Sequence, residues 1–252
     1  MTKKVRLLPF AVLAVAVAVW TVLSLLRVFP ESLFPSPLSV ADGFAEEIGT
    51  GRMFNDMIAS LFRVAIGFSL AAALGVPLGL VLGHHSRARA ALLPAVNFFR
   101  NLSPLAWIPF AILWFGIGDA PAIFLIFMAA FFPIVLATAA AVASIPTVYF
   151  RVAHDYGFKG AELLTQVTLP AIAPQIITAL RVTAGLSWVV VVAAEMIAGR
   201  DGLGFAIWDA RNGLRMDLLV VGMIVIGVIG VVIDQLLLRL TRIPSVRWGY
   251  ER

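Results

Sequence analysis

Three residues with chemically capable side chains recur at a spacing of seven within one long apolar stretch of the sequence. They are Arg181, Trp188 and Glu195. In a helix, seven residues drift by only about 20°, so the three side chains share one stripe. Charged groups inside hydrocarbon usually face the interior of a bundle or a water-filled path. The stripe therefore predicts the lining of a substrate path or the seam between two copies of the chain.

Simple packing is the alternative interpretation of the same stripe. Arg181 and Glu195 are 14 residues apart, which is about 21 Å along a helix axis, so they cannot pair with each other. Under this alternative, Arg181 snorkels towards one membrane surface and Glu195 caps or bridges a neighbouring helix.

A second group of candidate path residues surrounds two prolines. Pro104 and Pro109 lie within an apolar stretch and break its helical hydrogen-bond ladder, which is tolerated where neighbours or water satisfy the freed carbonyl groups. We therefore predict a kinked helix, either beside a polar cavity or as a packing kink. The candidate path residues in this segment are Arg100, Ser103, Pro104 and Trp107.

The remaining basic residues near the apolar stretches have simpler interpretations. Arg63 and Arg100 each lie a few residues inside the end of a predicted span, and we expect both to snorkel to the interface. His84 and His85 adjoin two arginines in a polar loop. Without further ligands in sight, they predict a solvated basic loop and no metal site.

The composition then decides which elements must position these side chains. Of 252 residues, 61% are hydrophobic and only 13% are charged, whereas a soluble domain is about half apolar and a quarter charged. Soluble enzymes and DNA-binding domains are therefore excluded, and the absence of cysteine excludes disulfides and Cys-ligated metals. We predict an all-α membrane protein, and we read the net charge of +5 as a loop asymmetry rather than as a nucleic-acid site.

Six stretches are long and apolar enough to cross about 30 Å of hydrocarbon, which takes about 20 helical residues. We predict spans at 8–26, 57–82, 92–115, 123–143, 172–198 and 218–238. They form a single transmembrane domain over residues 1–252, with its core at about 57–240. Gly67, Gly75 and Gly79, with Ala71–Ala73 between them, have the small-residue spacing of close helix contacts.

The distribution of basic residues predicts the orientation. With six spans, both termini lie on one side, and 11 basic residues fall on that side against five on the other. The positive-inside rule places both termini in the cytoplasm. The first stretch lacks a small-residue cleavage site, so we predict an uncleaved span and not a signal peptide. The 11 residues are Lys3, Lys4, Arg6, Arg87, Arg89, Arg151, Lys159, Arg239, Arg242, Arg247 and Arg252.

The cytoplasmic stretch 144–174 is predicted to carry a projecting knob. Gly157 permits a left-handed turn between two short helices, and Pro170 ends the second helix before the next span. Leu163, Val167 and Leu169 give the second helix an apolar side. Such a knob suits docking into a groove of a partner, and an amphipathic loop lying on the membrane surface is the alternative.

This stretch resembles the EAA loop of binding-protein-dependent ABC importer permeases. That loop has an acidic–alanine start, a glycine three residues on and a hydrophobic-x-Leu-Pro end. The candidate coupling residues are Arg151, Val152, Ala153, Gly157, Val167, Leu169 and Pro170. Arg151 stands where the family has glutamate and Val152 where it has the first alanine, so the ion pair that this glutamate makes with an ATPase subunit does not carry over.

Two further segments are similar to one subgroup, the permeases for nitrate, sulfonates, taurine and bicarbonate. They are residues 101–109 with 113–118, and residues 194–197 with 202–204. The resemblance implies a type I ABC importer permease-like fold in the bacterial cytoplasmic (inner) membrane, with lipid around it. It also implies a small anion as substrate.

The partners follow from the same resemblance: a second copy of the chain, two ABC ATPase subunits and an extracellular or periplasmic solute-binding protein. The sequence contains no G-x-x-x-x-G-K-[ST] phosphate loop. The chain is therefore predicted to be no enzyme and to hold no cofactor, while ATP and Mg²⁺ bind to the ATPase subunits.

Two other functions would require features that the sequence does not show clearly. A stand-alone secondary transporter or channel would need ion-coupling carboxylates in several spans, whereas Glu195 is the clear intramembrane acid and Asp234 a weaker second. An intramembrane enzyme would need convergent catalytic groups, but His84, His85 and His154 fall in predicted cytoplasmic loops. The importer permease is the favoured interpretation.

The orientation can be tested on the cysteine-free background. We expect Ser36→Cys and Asn212→Cys to react with an impermeant thiol reagent added to intact cells, because both positions fall in predicted outer loops. Ser86→Cys and Thr165→Cys should react only after the cells are opened. Labelling in the reverse order would show that the orientation is wrong.

Overall fold

The computed structural model describes residues 3–30 and 32–241, with the side chains of 3–9 and 240 left aside. These residues form helices and turns, and no strand occurs among them. The helices are α1 (Lys3–Leu25), α2 (Pro37–Thr50), α3 (Arg52–His84), α4 (Ser86–Asn101), α5 (Ile108–Phe115), α6 (Asp119–Ala143), α7 (Thr147–Asp155), α8 (Gly160–Glu162), α9 (Leu169–Ala198), α10 (Leu203–Asn212) and α11 (Met216–Leu240).

Helix α6 lies at the centre, packed on α3, α4, α5 and α9. Its sequence is apolar all round, as a buried helix requires. The contact with α3 runs along a line of buried small residues, from Gly67 to Gly79. A Cβ atom on Gly79 would lie 2.5 Å from the Cβ of Thr138 and 2.7 Å from the carbonyl oxygen of Val135. The two backbones therefore approach directly, which confirms the predicted role of the small residues.

Four helical segments in the described part of the chain are long and apolar enough to cross a membrane. They are Arg52–His84, Asp119–Ala143, Gly160–Ala198 and Met216–Arg239. They contain the predicted spans 57–82, 123–143, 172–198 and 218–238, so hydropathy located these helices correctly. Two shorter apolar segments, Phe10–Leu25 and Pro104–Phe115, fall in the other two predicted stretches, and a total of six spans stays a prediction.

The stretch 92–115 is broken, where the sequence predicted a kinked but continuous span. Helix α4 ends at Asn101 and one 3-10 turn covers Pro104–Trp107 before α5 begins. Leu102 and Ser103 have non-helical ψ angles of 128° and 127°. Ser103 directly precedes Pro104, and the residue before a proline is disfavoured in the helical region. The correction therefore has a local steric cause.

Two helices lie in segments predicted as loops. Helix α2 falls within the supposed loop 27–56, where Ser36 accepts a hydrogen bond from the Ser39 amide at 3.1 Å, Pro37 opens the helix and Gly51 ends it with φ +73°. Helix α10 follows α9. Both are short and mixed in polarity, so hydropathy did not reveal them.

The helix ends form two levels. At one level, Nε2 of His84 lies 3.1 Å from Oγ1 of Thr168; at the other, the Gly118 amide donates to the Ala198 carbonyl at 3.2 Å. We call them the knob end and the Arg63 end. The loops predicted to be cytoplasmic, 84–89 and 144–174, begin at the knob end. The orientation in the membrane stays a prediction, since the side chains of Lys3, Lys4 and Arg6 and the residues Arg242, Arg247 and Arg252 lie outside the described residues.

The close approach of α3 and α6 predicts opposite effects for two alanine substitutions. Gly79→Ala should destabilise the protein by about 1–3 kcal/mol, because the new methyl group would clash with backbone and Cβ atoms of α6 that cannot move aside without shifting the helix. Gly227→Ala, whose Cβ would meet nothing within 4 Å, should be neutral or stabilising, since alanine favours helix over glycine by about 1 kcal/mol. Thermal unfolding in detergent measures both. Equal stability of the two variants would contradict the packing described.

Candidate functional site

The predicted knob begins with α7 and a glycine turn. After α7, the Phe158 amide donates to the Ala153 carbonyl and the Gly157 amide to the His154 carbonyl, both at 2.9 Å. This pair of hydrogen bonds is a Schellman motif, whose αL position is Gly157 with φ +82°. The prediction of a left-handed glycine turn is confirmed. A Cβ atom on Gly157 would meet nothing within 4 Å, so the backbone conformation alone requires glycine there.

The second helix of the knob does not end at Pro170 as predicted. Residues Gly160–Ala198 form one helical segment of 39 residues, in which Leu163–Thr168 is a π-helical stretch. Pro170 lies in the first turn of α9, directly after this π-helical stretch, so the helix continues through the proline. The knob is therefore continuous with the fifth predicted span.

An apolar groove of about 870 Å³ lies between α7 and the start of α9. Four of the seven candidate coupling residues line it: Val152, Ala153, Val167 and Pro170. Ala153 is buried, Val152 is exposed, and Val167 is half-buried. Arg151 is exposed on α7 and Leu169 half-buried. The knob thus presents an apolar surface with one basic side chain beside it.

The Arg63 end is organised by a buried guanidinium group, which the sequence predicted to snorkel. Arg63 is 1% exposed. Its Nε donates to Asp119 and its Nη1 to Glu195, both at 2.7 Å, and its Nη2 pairs with the carboxylate of Asp201. Nη1 also donates to the Asp201 carbonyl at 2.9 Å. The correction follows from these partners, which satisfy the charge inside the protein and remove the need to reach water.

Glu195 of this cluster, together with Asp56 and Ser60 of α3, also fixes the start of α10. The Gly204 amide donates to Oε2 of Glu195 at 2.9 Å and the Gly202 amide to Oδ1 of Asp56 at 2.8 Å. The Leu203 amide donates to Ser60 Oγ at 3.0 Å. Acceptors from α3 and α9 thus replace a local N-cap. A Cβ on Gly202 would lie 2.5 Å from the Glu195 carboxyl group, so glycine is required where the chain crosses this group.

The three residues of the stripe on α9, Arg181, Trp188 and Glu195, contact different parts of the protein. Trp188 and Glu195 are buried within the single chain, and the Trp188 indole N–H donates to the Ile226 carbonyl of α11 at 3.0 Å. Within the single chain both side chains pack against neighbouring helices, and their predicted role at a path or seam stays a prediction. Arg181 differs: its Nε and Nη2 donate to the two carboxylate oxygens of Asp234 at 2.5 and 2.7 Å.

Of the candidate path residues around the broken stretch, Trp107 lies in an aromatic cluster. Trp107 is within 6.3 Å of the ring centres of Phe99, Trp114 and Phe124. It also packs on the buried core that α5, α6 and α9 share. Pro104 is half-buried. Arg100 and Ser103 are exposed. A path role for these four residues stays a prediction.

Exposed ion pairs bind the loops at the Arg63 end. Arg215 donates to Glu46 of α2 at 2.7 Å and to Asp217 at 2.8 Å. The hydrogen bond from Arg215 lowers the pKa of Glu46, while partial burial raises the pKa of the neighbouring Glu47. The carboxylate of Glu46 therefore stays ionised across the physiological range and holds α2 against the start of α11.

A sequence signal for the Arg63 cluster existed. Asp56, Ser60 and Arg63 are spaced by four and three residues, which places them on one face of α3. Three polar side chains on one face of an apolar helix indicate a buried polar contact. The partners on α6 and after α9 have no such signal, because they come 56 to 138 residues later.

Comparisons with known proteins agree with this geometry. A family model described as the binding-protein-dependent transport system inner membrane component matches residues 75–244. The putative aliphatic sulfonates transport permease SsuC of Bacillus subtilis is 33% identical, over 94% of this chain and 87% of that protein. The nitrate import permease NrtB of Synechocystis is 35% identical, over 90% and 85%. The bicarbonate transport system permease CmpB of Synechococcus elongatus is 40% identical, over 75% and 69%.

A solved structure shares the fold. A chain from the inward facing MetNI methionine ABC transporter superposes with a TM-score of 0.67 at 18% identity. The match covers 75% of this chain and 94% of that one. At this identity the likeness concerns the fold alone.

The buried cluster predicts a ranking of three variants. Arg63→Met should destabilise the protein by about 3–5 kcal/mol, because it leaves the buried Glu195 carboxylate without its partner. Glu195→Gln should cost less, about 1–3 kcal/mol, since glutamine can still accept from Gly204 and Arg63 keeps two carboxylates. The matched control is Arg215→Met, which breaks exposed pairs and should cost less than about 1 kcal/mol. Thermal unfolding followed by tryptophan fluorescence measures all three, and a control as damaging as Arg63→Met would contradict the assignment.

Proposed function

Because the chain belongs to the family of binding-protein-dependent transport system inner membrane components, we propose that two copies of it form the membrane path of an ATP-driven importer of a small anion. The chain itself is an ABC importer permease subunit, a transport component and not a catalytic one. In the proposal, two ATPase subunits bind at the knob end and a solute-binding protein delivers substrate at the Arg63 end. ATP and Mg²⁺ would belong to the ATPase subunits.

The observation that carries the proposal is the knob and its connection. Gly157 closes α7 in a rigid Schellman turn, and the chain then continues as one helical segment from Gly160 to Ala198. A partner that moves the knob therefore moves a helix that reaches the opposite end. This is the mechanical property that coupling to a distant ATPase requires.

The apolar groove beside the knob supports the position of the ATPase contact. Val148, Tyr149 and Val152 are all about half exposed on α7, and such a group of apolar side chains at the water-facing end of a bundle is typical of a protein contact. Arg151 adds a positive charge at its edge. Because this chain has Arg151 where the family has glutamate, the ATPase subunit should offer a carboxylate or an apolar surface at this point.

The substrate class is proposed from charge. The relatives named for sulfonates, nitrate and bicarbonate act on substrates that share a negative charge and two or more oxygen acceptors. Arg181 is the partly exposed arginine on α9, and its planar guanidinium suits such oxygens. A small oxyanion is therefore the substrate class that the geometry supports.

The membrane arrangement completes the proposal. The chain would lie in the cytoplasmic membrane with six crossings, of which the broken pair α4 and α5 forms the third. Segment 86–118 returns the chain from the knob end to the Arg63 end, as such a crossing must. Both termini would be cytoplasmic, on the side of the knob.

The assembly is tested by purification. The tagged chain, expressed with the ATPase encoded beside it, should retain that ATPase through size-exclusion chromatography and support ATP hydrolysis in liposomes. A chain that never retains an ATPase subunit, yet moves solute alone, would contradict the proposal in favour of a stand-alone transporter or channel.

Gly157 offers a sharper test of coupling. Gly157→Val should abolish ATP-driven uptake or release the ATPase, because a β-branched residue at positive φ costs about 1–2 kcal/mol or more and distorts the knob. The matched control is Gly157→Asn, since asparagine adopts the left-handed region readily, and it should keep most of the activity. Both variants should insert normally, as no span is altered. Normal uptake by Gly157→Val would rule out the coupling role.

A further inference from the structure

The ion pair between Arg181 of α9 and Asp234 of α11 has an unusual position. Two nitrogens of one guanidinium group meet two oxygens of one carboxylate, at 2.5 and 2.7 Å. A bidentate pair of this kind is the strongest form of the contact. Yet the side chains are 35% and 50% exposed, in contrast to the fully buried guanidinium of Arg63.

Arg181 lies about halfway along α9 between the two ends of the bundle, and Asp234 lies on α11 six residues before its last residue, Leu240. On α9, Thr168 marks the knob end through His84, and Glu195 marks the other end through Ser60. Arg181 is 13 residues from the first and 14 from the second, about 20 Å from each along the helix. A hydrocarbon layer about 30 Å thick centred on the bundle therefore encloses Arg181 on both sides.

The surface around the pair is open in the single chain. Val182 on α9 and Val231 on α11 are 68% and 57% exposed, and a Cβ on Gly185 or Gly227 would meet nothing within 4 Å. An exposed charge pair at this depth is costly if it faces lipid tails, and such groups face an aqueous cavity or the bundle interior. The open side of α9 and α11 at this level is therefore expected to face a water-filled cavity or the bundle interior and not lipid tails.

We propose that Arg181 is an anion-binding group in a water-filled cavity at the middle of the membrane, and that Asp234 is its built-in competitor. This inference rests on the proposed function and specifies its binding site. With no substrate present, Asp234 occupies the guanidinium and keeps the cavity neutral. An oxyanion that enters takes over the two N–H donors, and Asp234 turns towards water.

The competition has a selective consequence. A neutral solute cannot replace a carboxylate on a guanidinium group, whereas a planar or tetrahedral oxyanion offers the same pair of acceptor oxygens. An entering anion must displace Asp234 from Arg181, whereas no displacement would be needed if the guanidinium were unpaired. The affinity for the anion is therefore lower, and its release is easier. Asp234 thus sets the affinity without touching the transported anion.

The first measurement concerns water. Val182→Cys and Val231→Cys, on the cysteine-free chain, are exposed to methanethiosulfonate reagents in opened membrane vesicles, which need neither ATPase activity nor transport. Both should react at least tenfold faster than Val15→Cys on α1, whose side chain is 63% exposed in the single chain. Reaction no faster than that of Val15→Cys would show that the pair faces lipid or protein and overturn the proposal.

The second measurement concerns charge. The ratio of rates for the anionic sulfonatoethyl and the cationic trimethylammonioethyl reagent is compared at Val182→Cys. Asp234→Asn should raise this ratio about fivefold and Arg181→Gln should lower it about fivefold, as unit charges about 8 Å apart in water predict at low salt. The double variant should restore the parent ratio, which separates a charge effect from misfolding. An unchanged ratio in both single variants would overturn the proposal.

The third measurement concerns the anion itself. In the Asp234→Asn variant, sodium nitrate, bicarbonate or taurine should slow the anionic reagent at Val182→Cys relative to gluconate at equal ionic strength. In the parent the same protection should need several-fold more of the anion, and in Arg181→Gln it should be absent. Protection by none of the three probes, or equal protection without Arg181, would refute the anion site. If only the anion site is wrong, the chain still retains the ATPase subunit during purification. If the importer assignment is wrong, the chain does not retain the ATPase subunit.

Discussion

A guanidinium group without access to water needs counter-ions and hydrogen-bond acceptors from the protein itself. At the Arg63 end this requirement determines how the neighbouring elements are placed. Arg63 brings together a residue at the start of α6, a residue near the end of α9 and the loop that follows. The same Glu195 carboxylate then accepts from the first turn of α10. Removing the Arg63 charge would leave the buried Glu195 carboxylate without its cationic partner, so the elements that carry the two groups hold one relative position.

The two arginines on the long helices illustrate how burial changes the role of one side-chain type. Arg63 is enclosed and contacts three carboxylates, which makes it a structural centre. Arg181 is partly exposed and pairs with the Asp234 carboxylate, and from this arrangement we propose that it binds an anion. Between them, Trp188 fastens α9 to α11 through the Ile226 carbonyl. One end of α9 is thus fixed, its middle is accessible, and its other end projects as the knob.

Sequence reasoning succeeded where the cause is local. The four long helices follow from apolar length and the turn at Gly157 from the permissive backbone of glycine. The spacing of small residues on α3 likewise predicted a close helix contact, although not its partner α6. It failed where the cause is distant. Arg63 was expected to snorkel because it lies near the end of a span. Its partners lie up to 138 residues away, and no periodicity in the sequence links such positions. Helices α2 and α10 were missed because anchoring by other elements stabilises them more than their own hydropathy indicates.

The sequence separation within the Arg63 cluster also has a consequence for biogenesis. Glu195 leaves the ribosome 132 residues after Arg63, which at about 5–20 residues per second is a delay of roughly 7 to 26 s. During that interval α3 is inserted while its arginine still lacks its principal counter-ion. Arg63 lies about 16 Å from the first residue of α3, close enough to an end for its side chain to extend to the lipid headgroups. The inward position of the Arg63 guanidinium therefore requires Glu195 of α9, and α3 alone cannot set it.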